Sequence, residues 1–165
     1  IVRREGAEWI SGIGLADVVN ELPVTSETRF RIGSTSKAFA SLAILKLVEE
    51  QRLSLDDSVR KLVPEVWFEN QWEESDPVRI VHLLEHTTGW DDFHFRECAK
   101  SDPNIGLLEA FEYDHSSRIS RWRPGTRMAY CNSGPPVAAY IVEKVTGLRF
   151  EEYVEKNFFQ PIGMK

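Results

Sequence analysis

Neither a run of basic residues nor a long apolar stretch occurs in this chain, and those two absences remove whole classes of protein. Lys and Arg number 20 against 26 Asp and Glu, a formal charge of −6, with no basic cluster that could track phosphates. Nucleic acid is therefore not an expected partner. The longest apolar stretch, Ala38 to Leu45, is interrupted by Ser41 and stops at Lys46, far short of the roughly 20 residues that a bilayer-crossing helix needs. Ile1-Val2-Arg3-Arg4-Glu5 reads as a strand rather than a signal peptide, since no apolar core or small-residue cleavage site follows. Localisation is not encoded. Cysteine is scarce: Cys98 and Cys131 allow one disulfide at most, which makes no framework for a chain of this length, and free thiols fit equally well. A phosphate-cradling glycine loop is missing too. Gly12-Ile13-Gly14 has Asp17 where the third glycine belongs, and no helix is expected after it.

What is present is enough apolar material for one core: 42% of the 165 residues are apolar and 11% aromatic. The opening segment and Trp9 to Leu15, with Trp9, Ile13 and Leu15 at alternate positions, suggest a hairpin turning at Glu5-Gly6-Ala7-Glu8. Two strands are marginal alone and no later segment offers a convincing third, so the sheet is expected to be incomplete. From Thr35 to Gln51 no Gly or Pro occurs and apolar residues cover nearly every face, the pattern of a buried helix. Ser54-Leu55-Asp56-Asp57 starts a short helical turn ending before Pro64, and Asp76-Pro77 looks like the N-cap and first residue of a helix over Val78 to Glu85, with Gly89 as its stop. Helical periodicity also runs over Ile105 to Tyr113, Pro136 to Val145, capped by Gly147, and Phe150 to Phe158. No internal repeat or low-complexity linker is present.

The most informative stretch is Ser34-Thr35-Ser36-Lys37, where an extended Phe30-Arg31-Ile32-Gly33 meets the long apolar helix. It sets a hydroxyl and an amine one helical turn apart, the spacing a nucleophile and its proton acceptor require. A second copy, Ser58-Val59-Arg60-Lys61, follows two aspartates on a surface-like segment, where Ser58 reads as a helix cap and Lys61 stays solvated. Ser34 heads a buried helix instead, so partial desolvation of Lys37 is expected to disfavour its ammonium form and suit it to general-base work. The amide of Ser34 itself is a candidate donor to an oxyanion.

Three further groups compete for chemistry. Tyr130-Cys131-Asn132 offers a phenol that relays protons and an amide that bonds a carbonyl or a lysine; the plain alternative is a turn tyrosine before Ser133-Gly134. His82-Leu83-Leu84-Glu85-His86 would place two histidines on one helical face for zinc, with Glu85 to activate water and a third ligand among Glu143, Glu151 and Glu152; the alternative is a dipole-stabilised His86 and a solvated His82. Asp56-Asp57 and Asp91-Asp92 read as cap or loop carboxylates facing water.

Taken in order, Phe30-Arg31-Ile32-Gly33-Ser34-Thr35-Ser36-Lys37, Leu83-Leu84-Glu85-His86-Thr87-Thr88-Gly89, Pro124-Gly125-Thr126 and Tyr130-Cys131-Asn132-Ser133-Gly134 resemble the serine beta-lactamase-like superfamily, in its class C beta-lactamase, D-alanyl-D-alanine carboxypeptidase and esterase branch. Gly14-Leu15-Ala16-Asp17 and Phe159-Gln160-Pro161-Ile162-Gly163-Met164 extend the likeness over essentially the whole chain. The resemblance implies an α+β fold, here an N-terminal β-hairpin (residues 1–33 with its connection) plus a mainly helical region (residues 34–165), together the amino-terminal part of one catalytic unit. It implies a serine hydrolase acting through an acyl-serine intermediate on an amide, ester or beta-lactam carbonyl, with no cofactor or metal. Ser34 is then the nucleophile, Lys37 and Tyr130 the proton-transfer pair, and Asn132 a ligand of substrate or of Lys37. His86 becomes a structural member of its motif. A small-molecule or peptidoglycan-like substrate and a periplasmic or secreted location accompany the family.

Two departures bear on function. Pro135-Pro136 stands where the family usually has an aromatic residue after Ser-Gly, which is expected to reshape one wall of the pocket. The family's third motif, a Lys or His followed by Thr or Ser and Gly on a strand, is absent, since Lys144-Val145-Thr146-Gly147 falls at a helix end. That strand supplies the second oxyanion donor, so a carboxy-terminal segment is expected to complete the sheet and the hole, and the 165 residues alone are expected to be poorly active. The alternatives are a non-catalytic binding homologue of the same fold and, behind it, a zinc metallopeptidase using His82, Glu85 and His86.

Overall fold

The computed structural model describes residues 2–3, 6–7, 9–94 and 104–164; Cys98 lies outside the described residues. The chain divides into two compact units, Ile1–Gly33 and Ser34–Lys165.

The first unit holds two separate antiparallel ribbons rather than one hairpin. β1 (Val2–Arg3) pairs with β2 (Gly6–Ala7), and β3 (Leu15–Asp17) with β4 (Leu22–Pro23). The expected partner strand over Trp9 to Leu15 does not form: Ile10 and Ile13 are 63% and 91% exposed, and only Leu15 enters a ribbon. Ribbon register follows turn chemistry more than alternation. The turn is built by Asp17, whose Oδ1 accepts from the amides of Val19 at 2.9 Å and Asn20 at 3.0 Å, while Oδ2 accepts from Asn20 Nδ2 at 2.7 Å. Val18-Val19 hides that turn, because two adjacent valines look like strand. A strand, not a helix, follows Gly12-Ile13-Gly14, as a failed dinucleotide loop requires.

The second unit is helical among the described residues: α1 (Lys37–Glu49), α2 (Val59–Leu62), α3 (Ile80–Leu84), α4 (Leu107–Phe111), α5 (Gly134–Thr146) and α6 (Phe150–Val154), continued by a π-turn over Glu155–Phe159. α1 and α5 pack on each other, with α3, α4 and α6 against α5. In α1 the buried residues are Ala40, Ala43, Ile44 and Leu47, one stripe at the helical repeat. Leu42 and Leu45 are 45% and 46% exposed, so the helix is not buried all round as its composition suggested. An apolar surface records a preference for burial, and neighbours decide which face obtains it. The stripe meets Val137, Ala138 and Ile141 of α5 in the core, where each fully buried Leu, Ile or Val stabilises the fold by about 1.5–3 kcal/mol.

The helix ends show which local signals prevail. α5 opens with Pro135 and Pro136 inside its first turn, where no intrahelical N–H partner is lost, and closes at Gly147 with φ of 73°. α3 differs from expectation. Val78 and Arg79 lie outside it, and its first turn is capped by the His82 ring, whose Nδ1 accepts from the amide of Arg79 at 3.1 Å. Asp76 is instead tied to Ser75, and the carbonyl of Val78 accepts from Val59 N at 2.9 Å, which holds the segment extended. The stop is His86 rather than Gly89: its φ of 59° turns the chain left-handed just after the last helical turn.

Tyr140 on α5 donates to Glu65 Oε1 at 2.8 Å, which also receives Lys144 at 2.7 Å. Burial first, and then the Glu65 carboxylate, push the Tyr140 hydroxyl from 10.0 up to about 12. The unfolded chain releases this proton near its ordinary value, so the contribution of Tyr140 is fully present below pH 10.0 and declines as pH rises toward about 12. Tyr140→Phe is expected to lose less stability than the parent over that interval, measured as denaturant midpoints at successive pH values; equal declines would contradict this assignment.

Candidate active site

Ser34 lies in a 3₁₀ turn (Gly33–Ser36) that runs directly into α1, so the first α-helical residue is Lys37 and the helix cap is Ser36 rather than Ser34. Ser34 is exposed and Lys37 partly buried. The turn brings Lys37 Nζ to 3.0 Å from Ser34 Oγ. Ser58, the other candidate, occupies the cap position of α2 without making a cap bond, and its side chain shares no hydrogen bond with the exposed Lys61.

The partners of Ser34 arrive on a frame made from three separated stretches of sequence. Gly89 has φ of 80°, and a side chain there would put its Cβ 2.7 Å from the carbonyl of Trp122, so only glycine lets the loop after α3 lie against residues 121–122. Gly125 N donates to Thr87 O at 2.9 Å, Ala129 N to His86 O at 2.9 Å, and Cys131 N to His86 Nδ1 at 3.3 Å. The His86 ring then packs on Tyr130, centroids 4.4 Å apart. On the far side Ser133 Oγ donates to Asp91 O at 3.1 Å, and Asp92 receives the Asn132 amide. His-Thr-Thr-Gly, Pro-Gly-Thr and Tyr-Cys-Asn are thus one piece of architecture whose effect is to aim Tyr130 and Asn132.

Tyr130 hydroxyl donates to Ser34 Oγ at 2.8 Å, and Lys37 Nζ donates to Asn132 Oδ1 at 2.6 Å. The Lys37 ammonium also sits 4.9 Å from the Tyr130 ring centroid. Interaction with Lys37 foremost, and the bond to Ser34 next, pull the Tyr130 phenol below its ordinary value. The structure therefore links Tyr130, Ser34, Lys37 and Asn132 in one hydrogen-bonded chain. Cys131 points away into the core, 1% exposed, and burial pushes its thiol up.

The histidine pair does not make a metal site. α3 ends at Leu84, so His86 is off the helix and the four-residue spacing no longer sets both rings on one face. His82 is spent on capping and His86 on Cys131 and Tyr130. Burial, then the charge of Arg79 for His82 and of Lys37 for His86, lower both imidazoles. Among the described residues no group of three His, Cys, Asp or Glu could hold a metal ion. Asp91 and Asp92 are more than loop carboxylates facing water: Asp91 pairs with Arg121, and Asp92 bonds Asn132. That second contact spans 40 residues, and its only trace in the sequence is an acid just beyond the Thr-Thr-Gly turn.

A cavity of about 310 Å³ opens beside Lys37 and Asn132, walled by Phe93, Pro135, Pro136 and Phe150 among others. The two prolines thus form part of its wall.

A serine and a lysine at a helix start, facing a tyrosine–asparagine loop on a helical body, define the class as beta-lactamase-like. The octameric penicillin-binding protein homologue from Pyrococcus abyssi superposes with a TM-score of 0.81 at 35% identity, over 99% of this chain and 38% of that one. The D-amino acid amidase from Ochrobactrum anthropi superposes with a TM-score of 0.74 at 26% identity, over 92% and 40% respectively. The chain belongs to the Beta-lactamase family, whose sequence pattern matches residues 1–165. It is 30% identical over 154 residues to Protein flp of Staphylococcus aureus, covering 93% of this chain and 30% of that protein. The chain thus spans less than half the length of each of these relatives.

Proposed function

We propose that the protein carrying these residues is a serine hydrolase that forms an acyl-serine intermediate on an amide, ester or beta-lactam carbonyl. The observation that carries this is the meeting at Ser34 Oγ of two proton carriers, Lys37 Nζ at 3.0 Å and Tyr130 hydroxyl at 2.8 Å. A serine hydroxyl is a poor nucleophile until an adjacent group takes its proton. Here Lys37 and Tyr130 do so jointly. With one proton removed from it, the pair accepts the hydroxyl proton as Oγ attacks the carbonyl carbon. The Ser34 amide, at the start of the 3₁₀ turn, donates to the developing oxyanion. Collapse breaks the bond to the leaving group, which takes the proton back from the pair. Water then attacks the acyl ester and gives a proton to the pair, and the pair passes it to Ser34 Oγ as the acyl C–Oγ bond breaks, releasing the acid and restoring the serine hydroxyl. Asn132 holds Lys37 through Oδ1 and stands where a substrate amide would pass.

The second oxyanion donor is assigned to a strand bearing the family's third motif, consistent with a chain that spans 38% and 40% of the two solved relatives. Losing one such donor costs roughly 100- to 1,000-fold in rate, so Ile1–Lys165 alone is expected to turn over poorly. An amide carbonyl is among the substrates to try first, given the similarity to a D-amino acid amidase.

The test, on the whole protein that carries these residues, is pre-steady-state hydrolysis of a nitrophenyl ester, a D-amino acid anilide and a chromogenic cephalosporin. The expected result is a product burst equal to the enzyme concentration with at least one of them, unaffected by chelator. Binding without turnover would instead support a non-catalytic homologue, and loss of activity on chelation would revive the metal reading.

A further inference from the structure

A carboxamide presents an acceptor at one end and a donor at the other, so something must decide which end of Asn132 faces Lys37. Asp92 makes that decision. Its Oδ1 accepts from Asn132 Nδ2 at 2.9 Å and from the Asn132 backbone amide at 2.8 Å. A carboxylate can only accept and an ammonium can only donate. The side chain between them has one orientation that satisfies both, Nδ2 toward Asp92 and Oδ1 toward Lys37 at 2.6 Å. Reversal would set a donor against the ammonium and an oxygen against the carboxylate, losing both bonds.

We infer that Asp92 is a positioning residue of this site: it locks the orientation of Asn132, and through it places the Lys37 amine against Ser34 and balances its charge. The inference rests on the reading of Ser34 and Lys37 given above. Asp92 makes no bond to Ser34 and acts through Asn132. Phe93 N also donates to Asp92 Oδ1, at 2.8 Å, so one oxygen collects three N–H groups. Burial pushes this carboxyl up, but the bonds from Asn132 and Phe93 and the charge of Lys37 outweigh it and hold the group below the usual carboxylate range. The groups that feel its charge are Lys37 from α1, His86 from the loop after α3, and Tyr130 and Cys131 from the segment before α5.

The test is the second-order rate of labelling by a fluorophosphonate, measured across pH for the parent protein, Asp92→Asn, Asp92→Glu, Asn132→Ala, Asn132→Ala with Asp92→Asn, and Ser34→Ala. Asp92→Asn keeps shape but removes the charge and can either donate or accept, so Asn132 is free to turn. It is expected to label about 10- to 100-fold more slowly, the cost of a misplaced reacting group. Removal of a nearby negative charge disfavours the ammonium and favours the phenolate, so the acid limb of its pH profile moves to lower pH. Asp92→Glu keeps the charge and is expected to leave that limb in place. With Asn132→Ala already present, Asp92→Asn is expected to add no more than about 3-fold, because coupled residues are not additive. Asp92→Asn within 2-fold of the parent and with an unmoved limb overturns the inference. So does a full, independent loss on the Asn132→Ala background, or a limb that moves equally in Asp92→Glu. Ser34→Ala separates the two levels of the account: if it still labels, or if the parent does not label, the reading of the site fails and this inference with it. If only the Asp92 variants are silent, the site stands and the positioning role falls.

Discussion

Ser34→Ala is expected to abolish covalent capture by a fluorescent penicillin or a fluorophosphonate and to lower hydrolysis by roughly 10,000-fold or more. The size follows from the chemistry: an acyl-serine route has no first step without the Oγ that Lys37 and Tyr130 both meet. Alanine at this exposed position removes one hydroxyl and no core contact, so the thermal midpoint should stay within a degree or two of the parent. Ser58→Ala serves as the internal control, because Ser58 carries the same spacing to Lys61 without the contact. It is expected to label at the parental rate.

Lys37 gives the second large effect. Its amine holds Ser34 at 3.0 Å and Asn132 at 2.6 Å, so Lys37→Ala removes a proton carrier and the anchor of Asn132 together. General acid–base groups contribute roughly 100- to 10,000-fold, and a loss toward the upper end is expected here. Lys37→Arg is the more instructive variant. A guanidinium keeps the positive charge and can still donate to Asn132, but it does not give up its proton in a protein. If Lys37 exchanges protons with Ser34, Lys37→Arg is as slow as Lys37→Ala, read as the rate of acylation. If Lys37 supplies only charge, Lys37→Arg recovers most of the rate, and Tyr130 alone would carry the proton.

These effects depend on groups that were unequally legible in the sequence. The meeting of Ser34 and Lys37 is local: a spacing of three residues at a helix start puts the side chains on one face whatever surrounds them. The meeting of Ser34 with Tyr130 spans 96 residues, and no periodicity or composition encodes it. It entered only through the order of motifs shared with a family. Helix α5 could be read to within two residues at each end because Pro135-Pro136 and Gly147 act through backbone geometry alone. Helix α3 was misread for the opposite reason. Asp76-Pro77 is a good local start, but the backbone there is drawn into an extended bridge beside Ser58, and the His82 ring supplies the cap from within.

The same division explains the two histidines and the two aspartates. His82 and His86 have ideal zinc spacing only if the helix continues, and the left-handed turn at His86 ends that geometry. Asp91 and Asp92 look interchangeable in sequence, yet one pairs with Arg121 on the surface and the other fixes Asn132 beside Lys37. The ribbons of the first unit were lost for a third reason. Apolar alternation pointed to a strand over Trp9 to Leu15, whereas the turn of the second ribbon is built further on by the side chains of Asp17 and Asn20 around two valines. In each case polar side chains settled on partners that the local sequence pattern does not encode.

The central claim is that Ser34, among all the hydroxyls of the chain, takes the acyl group. Trypsin cleavage after Arg31 and Lys37 isolates Ser34 on the peptide Ile32–Lys37, and cleavage after Arg52 and Arg60 isolates Ser58 on Leu53–Arg60. Mass spectrometry of protein quenched with a penicillin or a fluorophosphonate should find the adduct on Ile32–Lys37, with fragmentation assigning it to Ser34 rather than Thr35 or Ser36. An adduct on Leu53–Arg60, or on any residue that still carries it in Ser34→Ala, would contradict the account.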